Sequence, residues 1–252
     1  HNNRFFFDKD VAAFRTGSTN NDYWDFDSLG AFSFASGENT VADAAFSTAF
    51  GSGSRVPSLG TFSFAGGQGA LSSSTASFAY GSLVQATGAQ SVAFGSSSIA
   101  SGAQSVALGR MTNSTGAYSF SAGNQAKAQA DYAVAFGRES EAQQSYSFAL
   151  GNRVNAESIY EIALGTYNTD YTPNSTTTWD ADDRLFVLGN GQNSSIRSNA
   201  IMVLKDSRTG IGNIIPSVQL EVDGAIAART DGTSGVDMTG GGVLTVGNRT
   251  YI

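Results

Sequence analysis

The chain has 252 residues, enough for one or two domains, with no cysteine and a formal net charge of −7. Lack of cysteine excludes a disulfide and a thiolate metal site, and an acidic chain lacks the basic surface that nucleic-acid binding requires. Charged residues are 14% of the chain, against the usual roughly one quarter, and no apolar run reaches the ~20 residues that would insert into a membrane.

Residues 1–28 read as an N-terminal cap. Arg4–Asp8 is a predicted strand, Lys9–Asp10 a turn, Val11–Arg15 a second strand, and Thr16–Asp22 polar turn material. Tyr23-Trp24-Asp25-Phe26-Asp27 brings three aromatics into five residues. They either close the first coil of a repeat structure or form an aromatic ligand platform. The chain opens at His1 without a signal-peptide pattern, which reads as a mature or trimmed piece of a longer protein.

Residues 29–166 hold a fourteen-residue repeat of frame small-apolar-Ala-apolar-Gly, as in Ser91-Val92-Ala93-Phe94-Gly95 and Ser105-Val106-Ala107-Leu108-Gly109. Its last glycines are Gly37, Gly51, Gly67, Gly81, Gly95, Gly109, Gly123, Gly137, Gly151 and Gly165. Every step between them is of 14 residues except Gly51 to Gly67, which is of 16 and suggests a bulged loop near Gly53 to Pro57. A fixed period of this kind predicts a solenoid, all-β here. Strand alternation puts Ser91, Ala93 and Gly95 on one face and Val92 and Phe94 on the other. A weaker strand follows in each repeat, as in Ser98–Ser101. Two short strands per repeat make one coil of a flattened parallel β-roll, and ten coils at roughly 4.8 Å make a rod of about 45–50 Å.

The large apolar face carries Phe34, Phe50, Phe64, Phe78, Phe94, Leu108, Phe120, Phe136, Phe148, Leu150 and Leu164. Sequence leaves open which face points into the roll. Neither face is charged in most copies, so both are expected to be buried, one inside the roll and one against partner chains in a closed oligomer. Ala133 and Glu161 replace the frame serine in two copies. The carboxylate of Glu161 predicts the end of the solenoid, where solvent returns.

Residues 167–181 read as a polar linker and residues 182–252 as a small β-rich module. Its predicted strands are Arg184–Leu188, Ala200–Leu204, Val218–Val222 and Val243–Val246, with turns at Gly189–Gly191, Arg208–Gly210 and Asp223-Gly224.

The frame Ser91-Val92-Ala93-Phe94-Gly95, with Ala100 and Gly102 between copies, resembles the head repeat of YadA-like trimeric autotransporter adhesins over roughly residues 29–166. The resemblance implies a left-handed parallel β-roll, three chains side by side, and a non-catalytic adhesive head. No binding residues carry over. Asp183–Gly191, Asn199–Ile201, Thr209–Gly212 and Leu220–Ile226 resemble a module of phage tail fibres and bacterial surface fibres, which often end in a self-cleaving chaperone. Coiled-coil heptads, anchor strands and that chaperone are not in these residues.

Candidate chemistry is sparse. The single histidine, His1, cannot serve as the held base of a Ser-His-Asp triad at a terminus. Paired carboxylates for a glycosidase would be Asp180, Asp182 and Asp183, or Asp25 and Asp27, but a fourteen-residue coil offers no cleft. Asp180, Asp182 and Asp183 are also the one candidate calcium site, without an EF-hand loop; otherwise no cofactor is implied. Gly210-Ile211-Gly212 and Gly240–Gly242 lack the lysine and helix of a phosphate loop. A flat solenoid suits ice binding, but no Thr-x-Thr array recurs at the period. Asn113, Asn174, Asn193 and Asn248 begin Asn-x-Ser/Thr triplets that this composition gives by chance.

The composite expectation is a non-enzymatic homotrimeric extracellular fibre, an adhesin or tail fibre on a cell surface, phage or injection machine. Its partners would be two further copies of itself and a host-cell or surface receptor, with a glycan as one candidate. The alternatives are a passive spacer and a β-solenoid carbohydrate enzyme.

Overall fold

The computed structural model describes residues 2–20, 22–25, 28–212, 215–224, 244–246 and 249–251. No α-helix occurs among them, so no helix is long and apolar enough to cross a membrane. Ten five-residue strands, from Phe34–Glu38 to Ile162–Thr166, stack in parallel, and nine two-residue strands, from Val41–Ala42 to Asn155–Ala156, stack as a second sheet. Each coil is paired in register with the next: Val92 with Val106, Ala93 with Ala107, Phe94 with Leu108, Gly95 with Gly109.

The alternation decides which face turns in. Ala35, Ala49, Ala65, Ala79, Ala93, Ala107, Ala135, Ala149 and Ala163 are fully buried, while Phe50, Phe94 and Phe136 are about half exposed. A coil of fourteen residues is too narrow for phenylalanine inside, so alanine and serine fill it. Many interior hydroxyls are returned to nearby carbonyls: Ser91 Oγ donates to Gly88 O at 2.7 Å and Ser98 Oγ to Gly109 O at 2.8 Å, whereas those of Thr40, Ser105 and Ser119 find no partner. This satisfies polar groups that burial would otherwise penalise.

The sixteen-residue step leaves the long-strand register intact, with Gly51 opposite Gly67. Its extra residues lie after the short strand Arg55–Val56, in a turn closed by Gly60 N–H donating to Pro57 O at 2.8 Å. The bulge therefore sits at Pro57–Gly60 and not at Gly53–Pro57, because Gly53 keeps the ordinary corner, with its N–H on Glu38 O.

At the N-terminal end, Asn2–Asp8 and Ala13–Thr19 form an antiparallel hairpin, and the second strand pairs in parallel with Phe34–Glu38. That strand starts two residues later than expected and takes in Thr16–Thr19, read from sequence as a turn. Gly17 pairs with Gly37 and extends the glycine column. Arg15 is fully buried and closes the roll, its guanidinium donating to Phe14 O, Ser33 Oγ and Ala42 O at 2.9 Å. Trp24 is 2% exposed, and its Nε1–H donates to Thr40 O at 2.9 Å. Among the aromatics of this segment, Trp24 thus lies within the first coil's packing, while Phe26 lies outside the described residues. Trp24→Ala is expected to cost about 3–5 kcal/mol, with faster amide exchange confined to the first coils; uniform exchange along the whole chain would contradict this placement.

At the other end, Arg184–Asn190 pairs in parallel with Ile162–Thr166, carrying the sheet beyond the repeats. Asn199–Leu204 and Thr209–Ile211 follow antiparallel, and Leu220–Val222 pairs in parallel with the latter. Residues 167–181 contain no strand but are tied in: Asn168 is fully buried and exchanges two hydrogen bonds with the Asn155 backbone, both 2.8 Å. The described stretch ends at Asp223-Gly224, and Ala225–Ile226 lie outside the described residues. Leu244–Val246 and Arg249–Tyr251 form an antiparallel pair.

Glu161 overturns one expectation. It is fully buried rather than solvated, because Arg184–Asn190 covers the last coil. Its Oε2 accepts the N–H groups of Glu157 at 2.7 Å and Ser158 at 2.8 Å, so the carboxylate holds the turn where serine hydroxyls hold it elsewhere.

Candidate interaction surfaces

Three columns cover the outside of the long-strand sheet and its corner. The first outward position carries Phe34, Phe64, Phe78, Phe120 and Phe148, with Thr48, Val92, Val106, Val134 and Ile162 between them. The second carries Phe50, Tyr80, Phe94, Leu108, Phe136, Leu150 and Leu164, with Ser36, Gly66 and Ala122 each beside a phenylalanine of the first. Bulk is traded between the columns at these coils, though Phe78 lies beside Tyr80 and Phe148 beside Leu150. A Cβ on Gly66 would meet Phe64 Cε1 at 2.7 Å and Tyr80 Cδ2 at 2.8 Å. Every apolar residue singled out from sequence lies on this outer sheet face. The ten repeat glycines form a column in the same sheet, at the fourth position of each five-residue strand, with φ between 99° and 147°.

The third column was missed from sequence. The residue before each frame serine sits in the left-handed region, at φ 53–63°, although none is glycine. It is Phe32, Phe46, Phe62, Ala76, Gln90, Gln104, Tyr118, Tyr132, Tyr146 and Tyr160. Such a backbone costs of order 1 kcal/mol per residue. Stacking offsets the cost: ring centroids lie 5.0 and 4.9 Å apart along Phe32–Phe46–Phe62, and 4.8, 4.8 and 5.1 Å apart along Tyr118–Tyr132–Tyr146–Tyr160. Between them, Gln104 Nε2 donates to Gln90 Oε1 at 2.6 Å. The column was visible as a fourteen-residue recurrence of aromatic residues, one place outside the frame that was read.

The short-strand side is polar towards the C-terminal end. Lys127 Nζ pairs with Glu141 Oε1 at 2.6 Å, and Arg153 Nη2 with Glu139 Oε2 at 2.6 Å. With Gln125, Asn155 and Arg197 they line a hollow of about 270 Å³ in which charges are already matched.

The acidic candidates do not converge. Asp182 pairs with Arg208, Asp183 faces Lys205, and Asp180 accepts from Asn174 Nδ2 at 3.1 Å. Arg184, next in the chain to this cluster, turns instead to Glu157 at 3.7 Å. Among the described residues no group of three or more histidine, cysteine, aspartate or glutamate side chains could hold a metal. Asp25 pairs with Arg4 at 2.9 Å, and Asp27 lies outside the described residues.

Burial pushes the carboxyls of Glu157 and Glu161 up to about 7, against the pull of Arg184 and of backbone N–H donors. A carboxyl unfolded near about 4.3 and folded near 7 binds its proton more tightly when folded. Its contribution to stability is full below the unfolded value and lost as pH rises towards the folded one. The chain should therefore melt at a higher temperature at pH 5 than at pH 8, and Glu161→Gln should reduce the difference. An unchanged slope in Glu161→Gln would remove Glu161 from this account.

Residues 29–54, 86–110, 114–140 and 133–153 match the family model described as the YadA head domain repeat. With the stacked fourteen-residue coils, the chain carries YadA-like head repeats. The unmatched stretch 55–85 contains the Pro57–Gly60 insertion, and the coils continue through it in register. No curated protein matches the chain.

Proposed function

We propose that this chain is the head of a homotrimeric, non-enzymatic surface fibre that attaches its bearer to another surface. One observation supports the reading most: the large apolar residues of the long strands all point out of the roll. Phe50, Phe94 and Phe136 are each about half exposed on a sheet face ten strands long. A monomer rarely leaves so continuous an apolar face to water. Three copies packed about an axis would cover it and leave no open edge for fibre growth. YadA-type heads are surface-exposed adhesive domains, and this supports a bacterial cell-surface location for the chain.

Attachment would then come from many weak contacts repeated along the coils and around three chains. A host-cell or surface receptor, glycan or protein, is the partner. The module from residue 182 onward, with its likeness to fibre proteins, would be the junction to the rest of the fibre. The test is the solution mass by light scattering, followed by binding of the isolated chain to cells and to a glycan array. Three chains and saturable binding are expected. A folded monomer would overturn the trimer, and a trimer that binds nothing would make it a passive spacer.

A further inference from the structure

We propose that Lys205 and Asp183 condense into an intramolecular amide, a covalent staple at the base of the hairpin formed by Arg184–Asn190 and Asn199–Leu204. Asp183 immediately precedes the first of these strands and Lys205 immediately follows the second. Lys205 N–H donates to Asp183 O at 2.9 Å, so the two backbones are held as cross-strand neighbours. Their side chains are 0% and 1% exposed. Lys205 Nζ lies 3.9 Å from Asp183 Oδ2, has no hydrogen-bond partner, and sits 5.5 Å from the centroid of the Trp179 ring.

As a salt bridge this arrangement is poor. A buried ammonium without hydrogen bonds retains most of its desolvation cost, and 3.9 Å is too long for a hydrogen bond to recover it. Burial lowers the pKa of the Lys205 amine, although Asp183, Glu161 and Asp180 pull it the other way. Condensation needs the neutral amine and the carboxylic acid, which differ from the ion pair only by the transfer of one ammonium proton across that gap. The Asp183 carboxyl is also polarised: Oδ1 accepts Asn174 N–H at 2.7 Å and Oδ2 accepts Ser175 N–H at 3.2 Å.

The step balances without a co-reactant. The Nζ lone pair adds to Asp183 Cγ and forms the C–N bond, while the N–H groups of Asn174 and Ser175 steady the charge that develops on oxygen. One C–O bond then breaks, and its oxygen leaves as water with the acid's proton and one from Nζ. The product is a neutral secondary amide, which removes both buried charges. Two groups held together by the fold react with effective molarities far above those of free solutes, which drives a condensation that water would otherwise oppose. The staple would lock the strands that close the C-terminal end of the roll, where load along a fibre would first peel the sheet.

The experiment is the intact mass of the folded, then denatured, chain, with peptide mapping. The expected mass is lower than that of the sequence by one water, with one branched peptide joining Lys205 to Asp183. Lys205→Arg and Asp183→Ala should each carry the full mass. Asp183→Asn should reach the wild-type cross-linked mass by losing ammonia instead. A wild-type chain of full mass that is folded by circular dichroism would overturn the proposal. So would a water loss mapped to a succinimide at Asp223-Gly224, which mild base reopens and an amide survives. The wild-type measurement decides even if a variant fails to fold.

Discussion

Gly95→Ala should lower stability by about 4 kcal/mol or more, among the largest effects open to a single methyl group. At roughly 2–4 °C per kcal/mol for a chain of this size, melting falls by about ten degrees. Two causes add. Gly95 has φ +117°, where an L side chain is strained. A Cβ built there also overlaps the carbonyl oxygen of Gly109 in the next coil. That oxygen is backbone held in a parallel ladder, so relief requires the coils to part. Gly53→Ala is the mild reference: its φ of +66° lies in the ordinary left-handed well, and nothing lies closer than 3.9 Å to the new Cβ. It should cost about 1 kcal/mol, the price of the backbone alone. Thermal melts of the two variants give the comparison. Equal losses would mean that close approach between coils does not govern the glycine column.

That column shows what the sequence made legible. A glycine that recurs in ten copies of a strand, at fourteen-residue steps but for one of sixteen, has one structural explanation, which is stacking in register. Alternation likewise separates Ala93 from Phe94. What it could not give was the sign, because alanine and phenylalanine both count as apolar. Only the narrowness of the coil sends Ala93 in and Phe94 out. Gly17 escaped notice because it lies 20 residues before Gly37, off the period, yet pairs with it directly. Glu161 misled for a related reason. A carboxylate in a serine position signals solvent only if nothing follows, and Arg184–Asn190 follows with the same register. The pairing of Lys205 with Asp183 crosses a hairpin whose register is irregular near Arg184 and again near Gly189, so no spacing rule would have found it.

Phe94→Asp combined with Phe136→Asp should convert a trimer into folded monomers. Both rings point out of the roll and are half exposed in the single chain. Neither touches the alanine interior, so the coils should stack as before and circular dichroism should be unchanged. In a trimer the same positions recur three times around the axis. Each phenylalanine covered there contributes about 1.5–3 kcal/mol of burial, and each aspartate placed there adds a desolvation cost of several kcal/mol. Six charges introduced into one apolar seam outweigh the association energy of an ordinary interface. Leu59→Asp is the control. Leu59 is 76% exposed in the Pro57–Gly60 turn, off the sheet face, and its variant should keep the wild-type mass. Light scattering of the three proteins at equal concentration reads the outcome. A double variant that stays at three chains would place the subunit contacts elsewhere, and the stacked tyrosines from Tyr118 to Tyr160 would be the next surface to charge.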